Sequence, residues 1–165
     1  MQQREEFLRV AMREHGDAVY RLALCRMQNG SDAEDVYQDV FLRLFQQPDR
    51  RWEPAHLRAW LLRTTVNRCT DLHRRKKLHP QLSLEALSEK AAEQSGASEL
   101  WAAVGQLPPP MRTVVHLYYG EGYQTEEIAK LLRCPAATVR TRLRRARIKL
   151  RDLLGGDEYE AESVP

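Results

Sequence analysis

Two rows of arginine dominate the C-terminal third of this chain. Arg140, Arg144, Arg147 and Arg151 form one row, and Arg142, Arg145 and Lys149 form another. Both flank a strict apolar stripe, Val139, Leu143, Ala146, Leu150 and Leu153, recurring at helical spacing. Guanidinium groups so arranged can grip phosphates or bind guanine O6 and N7 bidentately. The residues before them complete a motif. Thr125 is placed to cap a short helix with Glu126 and Glu127 in its first turn, and Cys134-Pro135 ends it and opens the next. A short helix, a tight turn and a longer basic helix predict a helix-turn-helix. A basic helix alone is more often just a solvated face. The capped helix and the turn before it shift the reading to DNA binding.

A second set of chemistry-bearing residues lies upstream. Trp52, Trp60, Arg63, Asn67 and Arg68 interleave rings with cations and an amide, as a single-stranded nucleic-acid surface does. Trp60 taken alone reads as core. A third set, Asp35, Gln38, Asp39 and Leu42, falls on one helix face and lines up three polar groups with an exposed leucine. From spacing alone an ordinary wet face accounts for it.

These groups need helices to hold them. The 165 residues carry 26 Lys and Arg against 23 acids, a net charge of +3, but the charge is segregated. His73 to Lys77 and Arg133 to Arg151 are basic; Glu85 to Glu99 and Asp152 to Glu162 are acidic. Two basic patches suggest two contacts with one polyanion. No alternating β-branched run is present, so the chain reads as all-α. A helix is expected from about Glu5 to His15, a break at Gly16-Asp17, and a second helix ending at Asn29-Gly30. Ser31 with Glu34 reads as a capping box opening a helix to about Gln46. A loop bounded by Pro48 and Pro54 precedes a long helix, about Ala55 to Lys77, with Leu57, Trp60, Leu61, Thr64 and Leu72 on its buried side. Further helices are expected from Ser98 to Gly105 and from Met111 to Tyr119. The arrangement is two small helical domains, 1–78 and 98–155, joined by a linker over 79–97 and followed by an acidic tail, 156–165.

Several classes of chemistry find no support. Cys25, Cys69 and Cys134 are odd in number and far apart, and the histidines have no ligand spacing, so neither a disulfide framework nor a metal site is implied. No phosphate loop, nucleophile elbow or zinc-protease motif occurs, so no enzyme activity, cofactor or small-molecule substrate is expected. No signal peptide or membrane insertion is read, which predicts a cytoplasmic protein.

Four stretches together resemble a known family. Asp32-Ala33-Glu34-Asp35-Val36-Tyr37-Gln38-Asp39-Val40-Phe41, Leu57 to Arg63 with Asn67 and Asp71, Leu107-Pro108 through Tyr118, and Cys134 through Leu143 with Arg145-Ala146-Arg147 are similar to motifs of bacterial sigma-70 family sigma factors of the extracytoplasmic function (ECF) group. Ala137 and Thr141 stand where that family often has glycine and serine. The resemblance implies that Asp35, Gln38, Asp39 and Leu42 bind the clamp helices of the largest subunit of core RNA polymerase. It implies that Arg51, Trp52, Trp60, Arg63, Asn67 and Arg68 hold the melted −10 promoter strand, with Arg74 and Arg75 on duplex phosphate upstream. It places Arg140, Thr141, Arg142, Arg144 and Arg145 against the −35 element. The β flap of the polymerase and an anti-sigma factor are further implied partners. The residues alone leave a duplex-binding helix-turn-helix regulator and a sigma-mimicking interaction protein as rivals.

Overall fold

The computed structural model describes residues 1–48, 51–78 and 99–155, and every regular element among them is helical. The chain divides into two compact units, residues 1–93 and 94–165. The expected linker and acidic tail lie outside the described residues.

The first unit packs three helices pairwise: α1 (Gln2–Met27), α2 (Gly30–Phe45) and α3 (Pro54–Leu78). Its core joins Val19 and Ala23 of α1, Ala33, Val36, Val40, Phe41 and Leu44 of α2, and Leu57, Leu61 and Cys69 of α3. The α2 positions recur at three and four residues, so burying that stripe leaves the opposite side of α2, with Leu42, in solvent. Two part-buried pairings fasten the helices further. Arg26 donates to Thr70 Oγ1 at 2.9 Å, and Lys76 forms an ion pair with Asp32.

Local chemistry corrects two expectations here. α1 runs unbroken through Gly16-Asp17. Gly16 is buried, and a Cβ on it would lie 2.9 Å from Tyr37 Oη. The glycine is there because α2 packs close, not because the chain turns. The cap of α2 is Asn29, not Ser31. Gln28 is left-handed (φ 58°), Asn29 is extended, and the Asn29 side chain accepts from the Asp32 amide at 2.9 Å.

The second unit holds α4 (Glu99–Gly105), α5 (Pro109–Val115), α6 (Thr125–Leu132) and α7 (Ala136–Leu153), with α7 packed against the other three. The helix expected from Met111 to Tyr119 changes pitch partway. It starts at Pro109 and becomes a π turn over His116–Gly120. Buried Arg112 ties α5 to the end of α4 by donating to the Gly105 carbonyl at 3.1 Å. At α6 the reciprocal cap is Gln124 with Glu127, whose carboxylate accepts from the Gln124 amide at 3.0 Å. Thr125 is the first helical residue rather than the cap. Arg133 adopts φ 56° to end α6, and the Cys134 amide returns to the Ala129 carbonyl at 3.0 Å. Val139, Leu143 and Ala146 form the buried seam of α7. The expected stripe fades toward its end, where Leu150 is half-buried and Leu153 is exposed.

Candidate nucleic-acid interface

Trp52 comes from the loop before α3, and Trp60 from its second turn. Their rings meet edge to face, centroids 5.7 Å apart at 61°. Both are half-buried, so the reading of Trp60 as plain core gives way to a partly open ring pair. The pair forms one wall of a cavity of about 410 Å³ completed by Arg51, Glu53, His56, Ala59 and Arg63. A cavity with aromatic walls and a cation at its mouth can take a planar base by stacking while holding its phosphate. Asn67 is exposed one turn beyond Arg63, on the same side of α3. Glu53, His56 and Ala59 were not singled out by residue type. Only the position of Trp52 over α3 reveals them.

The remaining cations expected on this surface are elsewhere. Arg68 forms an ion pair with Asp39 of α2, and its Nη1 lies 3.3 Å from Asp71 Oδ2. With Arg75 and Leu72 it lines a separate cleft of about 370 Å³ between α2 and α3. Asp35, Gln38, Asp39 and Leu42 form the other side of that cleft, so the structure does bring the four together. Asp35 and Gln38 are exposed, and Leu42 is 53% exposed. Arg74 is exposed and lies 4.0 Å from Asp71.

In the second unit α7 presents Arg140, Thr141, Arg144 and Arg145 to solvent, while Arg142 is half-buried. Glu126 of α6 approaches Arg140 at 3.7 Å. The Glu126 carboxyl is held below its usual range, first by its own backbone amide, then by the Thr125 hydroxyl and the Arg140 charge. Arg147 is not a free cation. Its Nε donates to Tyr119 Oη at 2.7 Å, and its guanidinium lies 5.7 Å from that ring's centroid. The π turn sets Tyr119 there, which sequence periodicity could not reveal. Among the described residues no helix is long and apolar enough to cross a membrane, and no cluster of possible metal ligands occurs.

An all-helical chain of two units, with a helix-turn-helix in the second and an aromatic, cation-edged cavity in the first, is a nucleic-acid-binding architecture. Comparison with known proteins defines the class. Residues 11–79 match the family model of sigma-70 region 2, and residues 97–150 match that of sigma-70 region 4. The chain is 36% identical over 163 residues to the ECF RNA polymerase sigma factor SigE of Mycolicibacterium smegmatis, covering 90% of this chain and 62% of that protein. It thus spans less than two thirds of that relative's length. It is 32% identical over 146 residues to the ECF sigma factor SigM of Mycobacterium tuberculosis, covering 87% of this chain and 74% of the relative. Its fold is similar to the sigma factor RpoE of Bartonella quintana, solved in complex with the anti-sigma factor NepR, with a TM-score of 0.72 and 20% identity over 90% of this chain and 97% of that one. The chain belongs to the ECF group of the sigma-70 family.

Proposed function

We propose that this protein is a promoter-specificity subunit. It binds core RNA polymerase, recognises −35 and −10 promoter elements and promotes strand opening, and the polymerase makes the bonds. The observation that carries the reading is the order of the two matches, region 2 then region 4, each coinciding with a surface of the right chemistry. Within the first unit, residues 1–78 hold the melted −10 strand. Trp52 and Trp60 stack a base flipped from the duplex, Arg51 and Arg63 hold its backbone, and Asn67 reads an edge. Arg74 holds upstream duplex phosphate, whereas Arg75 lines the cleft between α2 and α3. Within the second unit, residues 98–155 read the −35 duplex with Arg140, Thr141, Arg142, Arg144 and Arg145.

Asp35, Gln38, Asp39 and Leu42 bind the clamp helices of the polymerase, and the β flap contacts the second unit. An anti-sigma factor is the regulatory partner. The protein works where the promoters are, in the cytoplasm. It is not an enzyme and needs no cofactor.

The test is transcription. Purified protein is mixed with bacterial core polymerase and a promoter library, and run-off transcripts are sequenced. Transcripts that require this chain and share two motifs at fixed spacing support the reading. Their absence, with binding to duplex DNA as a dimer, would replace it with a conventional regulator. Asn67→Ala is expected to impair open-complex formation more than duplex binding. Equal losses in the two assays reject that split.

A further inference from the structure

We infer that Arg68 is a positioning residue for polymerase binding and not a promoter contact. The inference rests on the reading of the acidic face of α2 as the polymerase-binding surface. Arg68 and Asp39 lie on different helices, and by residue type they suit different ligands, a cation for DNA and an acid for a protein. The structure joins them directly. The Arg68 side chain is only 24% exposed, and it is flanked by Asp39 and by Asp71 at 3.3 Å. A phosphate reaching Arg68 would have to compete with two carboxylates and would be repelled by both.

Helical geometry separates Arg68 from the base cavity as well. At about 100° per residue, Asn67 lies roughly 40° around α3 from Arg63, whereas Arg68 lies roughly 140° away. Leu72 and Arg75 return to within about 40° of Arg68. α3 therefore has two working faces. Arg63 lines the aromatic cavity, and Arg68, Leu72 and Arg75 line the cleft against α2.

Within that cleft Asp35 and Asp39 are balanced by Arg68 and Arg75. A cleft of mixed charge with apolar contacts at Leu42 and Leu72 suits a protein helix of mixed charge and rejects a polyanion. Arg68 fixes the Asp39 carboxylate before the partner arrives. Less side-chain freedom is then lost on binding.

The full chain is titrated against core polymerase by fluorescence anisotropy. The assembled complexes are then titrated against a fork DNA carrying the −10 strand. Arg68→Gln is expected to weaken core binding about tenfold, which is about 1.4 kcal/mol. Arg68→Lys, which keeps the charge, should recover part of the loss. The pair Asp39→Asn with Arg68→Gln should lose no more than Asp39→Asn alone, because the arginine acts through that carboxylate. Fork affinity should change less than twofold. If Arg68→Gln keeps its core affinity and loses fork affinity, Arg68 is a DNA contact and the inference is wrong. Additive losses in the double variant also overturn it, because a general packing defect would behave that way. If Asp39→Asn itself leaves core binding intact, the underlying reading of α2 has failed, and the inference falls with it.

Discussion

Gly16 shows how one residue type can carry two opposite messages. In a helix interior glycine costs about 1 kcal/mol relative to alanine, so it reads as a break. Here it is a contact, with Tyr37 Oη 2.9 Å from where a Cβ would stand and the ring edge at 3.4 Å. Gly16→Ala gains propensity but meets the hydroxyl, and overpacking costs about 1–3 kcal/mol. Gly16→Ala is therefore expected to lower the urea midpoint of the first unit. In a Tyr37→Phe background, which removes the obstructing oxygen, the same substitution should raise it. His15 is a second residue-scale case. It is 8% exposed, and neither ring nitrogen has a hydrogen-bond partner among the described residues. Burial first, then the Arg58 charge, push its pKa below the ordinary 6.5, with Glu14 opposing. A base whose folded pKa is depressed binds more protons unfolded. Its contribution is thus complete above about 6.5, the unfolded value, and is lost as pH falls through the folded one. Stability of the first unit measured by urea at a series of pH values should fall from pH 7 toward 5. His15→Phe should flatten that slope.

At the scale of elements, the sequence located helices well and their ends poorly. The apolar stripes of α2 and α7 were legible because burial follows the 3.6-residue period directly. Caps were not. Ser31 and Thr125 carry good capping side chains, yet Asn29 and Gln124 hold the positions. Which oxygen reaches a free amide depends on backbone torsions, and the left-handed Gln28 sets Asn29 in place. Asn29→Ala should cost roughly 1 kcal/mol in chemical denaturation, and Ser31→Ala close to nothing. Equal costs would restore Ser31 as the cap. The aromatic cavity was half legible. Trp52, Trp60 and Arg63 announced it by type, but α3 turns Arg68 away from it, and only an account of how α2 and α3 pack could show that. Arg147 was hidden for a related reason. Its partner, Tyr119, stands 28 positions away on another element, beyond the reach of any single helix's periodicity.

At the scale of the whole molecule, the all-helical class and the helix-turn-helix were legible from periodicity, turn residues and charge segregation. The long-range pairings, Lys76 to Asp32 and Arg26 to Thr70, were not, because each partner is 44 positions away in the chain. Residues 79–98 connect α3 to α4, and a chain of that length reaches at most about 70 Å. Removing about fourteen of them would cut the reach to about 20 Å, short of one duplex turn of about 34–36 Å. Such a variant should still assemble with core polymerase through its first unit. It should fail to transcribe from promoters that depend on both elements, as a run-off assay on paired and single-element templates would show. The distribution of the three tryptophans has a practical consequence. Trp52 and Trp60 form a wall of the aromatic cavity, and Trp101 lies in α4 of the other unit. After Trp101→Phe, all remaining indole emission would originate in the cavity. Quenching of that emission would then time the arrival of the melted strand in stopped flow, with no dye attached.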